Sequence, residues 1–561
     1  MGAYRFSLAP NISVPRSKFH MPFNHVTSFN HGKLVPIDCF EILPGDEFKL
    51  DMSAIIRMST PIAPIFGNIK ASVHAFFVPM RLVWVHTKEF YGENKTSAGY
   101  QTYNYRIPVG SYGDDGTYAV LGSVSHYLGK PLQNSTGWAS GQAHDISILK
   151  ERGYYLIWSE FYRAQQLQGP FLLNDSDSSL IGTIQSGNAD YASNHTVDFG
   201  TTCMNVCKQF DYFTAATTSP QYGSSVTLPL GTSAPIIGSS SWTAVGTNGL
   251  KVGVLSGGSP AALSGNLGSD TSGKVSAIGT ASGTTTNVTY TNWIADLSNA
   301  TAASINTIRY AFACQKWLER ANFGSRFFEM LNLHYGVTSP DARLQRPEYL
   351  GGKDFYINVD QVISTAGYAT GNTQEVGQTG AVSVTGMKGV NLFHKAFVEP
   401  GYVYVLISTT HERSYSQGVL REDLRRDRFD FYFPEFANLG DQGIYRGEIW
   451  FIGNSSDSYD KAIWGYQEHW AEYRYRPNRV SGIMDPMASG ALAYWNLSEK
   501  FTSQPTLSNS FIMENRDDIT RCLVSGATGP DYIGDFYFDY TAIREMPLYT
   551  IPGLVDHFGT M

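Results

Sequence analysis

The sequence predicts a mainly β fold, a sandwich closed by strands from both ends of the chain with long inserted loops and several helices between. Three observations predict it. Aromatic and β-branched runs with turn residues at their borders occupy the first ninety residues and the last third. Helical periodicity is confined to two stretches, 146–170 and 304–336. A long Gly/Ser/Thr-rich excursion, 231–290, separates them. Strands at both ends with helices and an insertion between suggest one sandwich assembled from distant segments.

The N-terminal part begins with a turn at Leu43-Pro44-Gly45-Asp46, followed by candidate strands Glu47 to Met58 and Val73 to Val78, the second ended by Pro79. From Ile146 to Gln168, Tyr155, Trp158, Phe161 and Tyr162 recur at three- and four-residue steps, and Gly169-Pro170 stops the run. Between 231 and 290 the only charged residues are Lys251, Asp270 and Lys274. A disordered linker and a loop-rich β excursion both fit that composition. The low charge and the candidate anchors Trp242, Tyr290 and Trp293 favour an ordered, surface-projecting insertion.

A helix over Ser304 to Glu319 offers Ile305, Ile308, Phe312 and Leu318 to a core. A second, near Ser325, carries Phe327, Met330, Leu331 and His334, with Gly336 placed as its C′ residue. Expected strands in the last third are Tyr402 to Thr410, Gly447 to Ile452, Ile463 to Arg476 and Asp535 to Ala542. In the third of these, Glu468, Trp470, Glu472, Arg474 and Arg476 would share one face and His469, Ala471, Tyr473 and Tyr475 the other. No internal repeat is evident.

The most specific stretch is Gly336 to Gly352, GVTSPDARLQRPEYLGG. Pro340 and Pro347 make it irregular, yet Asp341, Arg343, Leu344, Gln345, Arg346, Glu348, Tyr349 and Leu350 are too specific for a linker. Such a segment is held against its own domain or a neighbouring subunit. Bidentate carboxylate partners at a subunit contact suit Arg343 and Arg346 better than phosphates do.

Composition points to assembly. Among 561 residues, charged ones are 16% where a globular chain carries about 25%, and aromatics reach 14%. Interface cores are depleted in charge and enriched in aromatics. The net charge of −8 gives the whole chain no basic signature for nucleic acid. Five cysteines, at 39, 203, 207, 314 and 522, suggest free thiols in a reducing compartment, and Cys203 and Cys207 have no matching ligand pair at zinc spacing. No signal peptide, myristoylation signal or membrane-length apolar run is present.

Catalytic patterns fail one by one. Gly268 to Lys274 has P-loop spacing, but Val275 stands where a Ser or Thr is required. His411-Glu412 opens like a zincin helix, but Tyr415 replaces the second histidine. Glu422, Asp423, Asp427 and Asp430 are interleaved with Arg421, Arg425, Arg426 and Arg428, so their pKa values should be depressed and a salt-bridge network is expected. Arg474, Arg476 and Arg479 with Tyr473 and Tyr475 could stack on single-stranded DNA. Pairing with Glu468, Glu472 and a neighbour's acids is the preferred alternative.

Several blocks together resemble one family. They are PRSKF (15–19), LPGDEF (43–48), FFVPMRLVW (76–84), LIWSEFYRAQQLQGP (156–170), FDYFT (210–214), VTLPLG (226–231), the Gly336 to Gly352 stretch, GYQEHWAEYRYRP (465–477) and YTIPGLVDHF (549–558). In this order they resemble the major capsid protein of the Microviridae, small icosahedral single-stranded DNA phages, in particular the gokushovirus branch. Residues Thr217 to Gly223 depart from the typical member. The resemblance implies a viral eight-stranded jelly-roll β sandwich, with sixty copies closing an icosahedral shell around a circular single-stranded DNA genome. It implies a protrusion at the threefold axes from 231–290, a small basic DNA-packaging protein and a DNA pilot protein as partners, and a host surface receptor as a further one. It implies a virion protein assembled in the bacterial cytoplasm, without cofactor, metal, membrane insertion or catalysis. A carbohydrate-binding jelly roll and a β-sandwich glycoside hydrolase are the rivals, to be told apart by particle size and by sugar hydrolysis.

Overall fold

The computed structural model describes residues 16–93, 105–113, 118–132, 144–187, 191, 193–226, 305–322, 324, 326–358, 361–363, 379–382, 385–453 and 459–548, with six short strands between 236 and 295. The chain divides into two compact units, 1–222 with 319–561, and 223–318.

In the first unit eight long strands form two antiparallel four-stranded sheets. In chain order they are β1 (Ser17–Phe29), β2 (Val35–Ile42), β3 (Glu47–Met58), β4 (Ile69–Pro79), β5 (Glu348–Ile357), β6 (Thr385–Ala396), β7 (Gly401–His411) and β8 (Tyr532–Arg544). One sheet runs β1-β8-β3-β6 and the other β5-β4-β7-β2. The expected strands Glu47 to Met58, Val73 to Val78, Tyr402 to Thr410 and Asp535 to Ala542 all lie in these elements.

Burial explains the composition of each strand. In β8, Tyr532, Phe536, Phe538, Tyr540 and Ala542 point inward while Ile533, Asp535 and Tyr537 face out. β3 alternates in the same way, burying Phe48, Leu50, Met52, Ala54 and Ile56. The sheets meet through aromatic rings: Phe40 lies 4.7 Å from Tyr540 and 5.1 Å from Phe48, and Phe77 lies 4.7 Å from Phe397. β7 is different, because residues 401–409 are all buried. One of its faces meets the other sheet and the other is covered by helix α1 (Leu149–Ile157), where the Tyr404 hydroxyl donates to the Lys150 carbonyl at 2.8 Å. A side chain at Gly153 would run into that tyrosine, so the glycine permits the close approach.

The first helical stretch is shorter than its periodicity predicts. Ile146 belongs to a strand, α1 spans nine residues, and one π-type turn, Trp158–Tyr162, ends it. The fully buried Arg152 on α1 donates to the carbonyls of Val83, Ser176, Ser178 and Leu180 at 2.8–3.1 Å, gathering the surrounding loops. Cys203 and Cys207 are not on a helix, and both are free thiols.

Two expected strands are corrected. Around Gly447 to Ile452 the chain forms a helical turn, Arg446–Ile449, whose start is capped by Glu448 accepting from the Tyr445 amide at 2.9 Å. From Ile463 the strand ends at Gln467, because Trp470 adopts a left-handed conformation (φ 66°) held by its indole N–H on the Phe436 carbonyl at 2.9 Å. A short 3-10 turn, Ala471–Tyr473, follows, so the two-faced arrangement expected for 468–476 does not form.

Helices α2 (Ile305–Ala321) and α3 (Phe327–Tyr335) lie where expected, and Gly336 closes α3 in the left-handed region at φ 67°. The boundary between the two units falls within α2. Its expected core face is not buried: Ile305 and Phe312 are exposed, and Ile308 and Leu318 are half-buried. In the second unit, strands Ile236–Gly238 and Trp293–Ala295 pair, with Trp293 opposite Gly238. Two hairpins, Gly253–Ser256 with Ser259–Ala262 and Leu267–Ser269 with Val275–Ala277, lie between them. Trp242 and Tyr290 lie outside the described residues.

Candidate subunit-contact surface

Asp341 organises the stretch after α3. Its carboxylate accepts from Arg346 Nε at 2.7 Å and Nη2 at 2.6 Å, and from the Tyr349 amide at 3.1 Å. The Arg346 guanidinium also lies over the rings of Phe328 at 3.9 Å and Phe161 at 4.9 Å. The carboxylate partner expected across a subunit contact is therefore in the same chain. Gln345 adopts a left-handed conformation at φ 57°, and its side-chain carbonyl accepts from Arg81. Glu348 pairs with Lys395, and Pro347 is buried. Tyr349, 48% exposed, packs its ring on His74 and Phe76 at the outer strand β5. Arg343, Gln345 and Tyr349 form the outward side of this braced loop.

A second surface is built from residues 421–439 and 468–476. Glu472 accepts from Arg425 at 2.9 Å and from Gln442 at 2.7 Å, with Arg421 Nε at 3.8 Å. Arg421 also pairs with Glu448 at 2.8 Å. Burial pushes the Glu448 carboxyl up, and Arg421 opposes it. Asp430 is depressed as expected, but the main cause is acceptance from the backbone amides of Arg426 and Asp427, not guanidinium pairing. In the same segment Phe429 is 70% exposed, and Phe431, Tyr432, Phe433 and Leu439 are exposed with it. Neighbouring exposed aromatics of this kind mark an interaction surface. Sequence reasoning singles out the charges here and misses the aromatics, although RFDFYFPEF carries them in plain view.

The arginine candidates divide. Arg474 pairs with Glu468 and donates to the His469 carbonyl at 2.8 Å. Arg476 lies 3.7 Å from Glu422, both highly exposed, and Arg479 is exposed. Tyr473 stacks with Arg425 at 4.6 Å and Tyr475 is exposed. A neighbouring cleft of about 840 Å³ mixes Lys70, Arg163 and Arg326 with Glu329, Asp441 and Glu468. That lining is not selective for phosphate.

A profile of the family described as Capsid protein (F protein) matches residues 7–554. The chain belongs to this capsid protein family. It is 34% identical over 574 residues to "Capsid protein VP1" of Bdellovibrio phage phiMH2K, covering 99% of this chain and 98% of the relative. Identity to "Capsid protein VP1" of Chlamydia phage 1 is 33%, covering 98% and 97%. To the same-named protein of Spiroplasma virus 4 it is 31%, again covering 98% and 97%. These are gokushoviruses of the Microviridae, and the chain is a major capsid protein of that group. It self-assembles into a shell and resides in the virion, and its relatives are structural proteins, not enzymes.

The enzyme-like patterns of this capsid protein take structural roles. Ser269 and Val275 face each other across a hairpin, so the P-loop spacing does not precede a helix. His411 ends β7 and Glu412 accepts from Asn68 at 3.0 Å. No helix among the described residues is long and apolar enough to cross a membrane.

The capsid chain also holds a buried ionic network that no motif predicts. Arg413 donates to Glu499, Glu514 and Asp518, Lys208 pairs with Glu499 at 2.6 Å, and Arg521 pairs with Asp518 at 2.7 Å. Burial would raise the Glu514 carboxyl, but Arg413 and then His411 hold it well below the usual range. Burial and Glu499 push Asp518 up to about 7. His31 and His411 lie against this network.

Proposed function

We propose that the first unit is a jelly roll and that sixty copies close an icosahedral shell around a circular single-stranded DNA genome. The strand orders β1-β8-β3-β6 and β5-β4-β7-β2, pairing chain ends with chain interior, support the jelly roll. A rigid sandwich then presents different edges to neighbours around each axis, as heterologous contacts that close. The observation that carries the assembly reading is the exposed aromatic surface of Phe429, Phe431, Tyr432 and Phe433, together with the braced loop bearing Arg343 and Tyr349. Replacing Phe429, Tyr432 and Phe433 together by Ser should leave the thermal midpoint of the free subunit within about 2 °C, since surface changes cost little. Particle yield by sedimentation should fall at least about tenfold, equivalent to a weakening of association by about 1.4 kcal/mol. Normal particle yield would sink this assignment.

The charge of −8 per chain makes such a shell anionic, so genome neutralisation rests on a small basic packaging protein and mobile cations, with a DNA pilot protein as a further partner. Assembly takes place in the host cytoplasm, in keeping with five cysteines free of disulfides. Of the candidate DNA contacts, Arg476 and Arg479 remain more open than Arg474. The 231–290 insertion is assigned to a threefold protrusion with a part in host attachment, supported by its composition and its separation as a compact unit. Deleting it should spare particle formation and reduce adsorption to host cells. Unchanged adsorption by intact deletion particles would contradict that role.

A further inference from the structure

Three ligand-type atoms converge inside the first unit. His31 Nε2 lies 3.0 Å from His411 Nδ1 and 3.1 Å from Glu514 Oε1, and His411 Nδ1 lies 3.1 Å from the same oxygen. All three side chains are fully buried. Protons cannot satisfy this triangle, because each neutral imidazole carries one N–H. If both inward nitrogens are protonated, two N–H groups oppose each other across 3.0 Å. If only one is, the other nitrogen's lone pair faces a carboxylate oxygen at 3.1 Å. One edge is repulsive in either case.

The outer atoms suit a different occupant. His31 Nδ1 lies 3.0 Å from the Tyr532 hydroxyl, so that N–H can be donated outward, leaving the Nε2 lone pair facing the triangle. A hydrogen bond of this kind orients metal-ligating histidines. His411 Nε2 and Glu514 Oε2 are buried without a hydrogen-bond partner, although Asp518 Oδ2 lies 3.7 Å from the first. Arg413 takes Glu514 Oε1, which leaves Oε2 to complete a ligand set.

We infer that His31, His411 and Glu514 form a buried structural site for one divalent transition-metal ion, with zinc the best fit. Two imidazoles and a carboxylate suit zinc or its neighbours, whereas calcium and magnesium require oxygen ligands. Tetrahedral zinc with bonds of about 2.0–2.1 Å sets its ligand atoms about 3.3 Å apart, so the triangle needs to open by only a few tenths of an ångström. The ion would tie the β1–β2 turn and the end of β7 to the segment around Glu514. The opposing factor is charge, since Lys208, Arg413 and Arg521 already face Glu499, Glu514 and Asp518. A metal-free triangle bridged by an extra proton is therefore the competing outcome.

Full-length protein would be stripped with chelator, exposed separately to Zn²⁺, Co²⁺, Mg²⁺ and Ca²⁺, and passed through gel filtration before elemental analysis. Retention of about one Zn²⁺ or Co²⁺ per chain is expected, with Mg²⁺ and Ca²⁺ lost. His31→Gln and His411→Asn keep an amide where each ligand nitrogen lies, and each should reduce retained Zn²⁺ by about tenfold or more. X-ray absorption at the zinc edge of the unaltered protein decides the matter even if the variants do not fold. A shell of two imidazoles with carboxylate oxygen supports the site, and a sulfur or all-oxygen shell overturns it. No retained ion, or equal retention by folded variants, overturns it too.

Discussion

Arg413→Ala is expected to destabilise the folded subunit by about 3–5 kcal/mol, read as a shift in the denaturant midpoint of the unassembled chain. The guanidinium is buried and touches Glu499, Glu514 and Asp518 together. Removing it leaves Glu514 without its cation in a site that excludes water, and leaves Glu499 to Lys208 alone. The whole network is not strongly stabilising on balance, because burying its charges costs about what their attraction returns. The damage comes from removing one member. The network joins the end of β7 to residues 499–521, which precede β8, so its loss loosens the junction of the two sheets. A shift below about 1 kcal/mol would mean that the carboxylates are already neutral or hydrated.

The second large effect is expected at Arg152. Arg152→Ala should cost about 3–5 kcal/mol, since each buried carbonyl left without a donor costs about 1–3 kcal/mol and local relaxation recovers part of the total. Its two terminal nitrogens each serve two carbonyls, Val83 with Ser176 and Ser178 with Leu180. An ammonium cannot reproduce that planar fork, so Arg152→Lys should recover less than about half of the loss. Denaturation of the free subunit checks both variants. Full recovery by lysine would show that charge, not the fork geometry, organises these loops.

Neither arginine stands out in the sequence, and the reason is physical. Local patterning writes strands such as Glu47–Met58, whose alternation is set by one buried face, and helices such as Phe327–Tyr335 with its glycine cap. It fails where a single residue redirects the chain. Trp470 turns a long aromatic run into a strand end and a 3-10 turn, and Glu448 caps a helical turn where β-branched and aromatic residues suggest a strand. The firmness of the loop after α3 is legible in its side chains, but the Asp341–Arg346 clasp places the arginine's partner five residues away and not in a neighbour. The His31, His411 and Glu514 cluster is not legible, because His31 is separated from the other two by 380 and 483 residues and they meet only through sheet topology. The apolar stripe of α2 is plain in the sequence, yet Ile305 and Phe312 stay exposed in the single subunit. Periodicity reports that a helix has an apolar face, and it does not report what covers that face.

The shell-forming function is tested most directly by electron microscopy of the purified full-length chain after incubation across a range of salt and protein concentration. Small, uniform icosahedral particles whose symmetry averages to sixty copies are the expected result. A chain that stays monomeric, or stops at a small discrete oligomer under every condition, would contradict it.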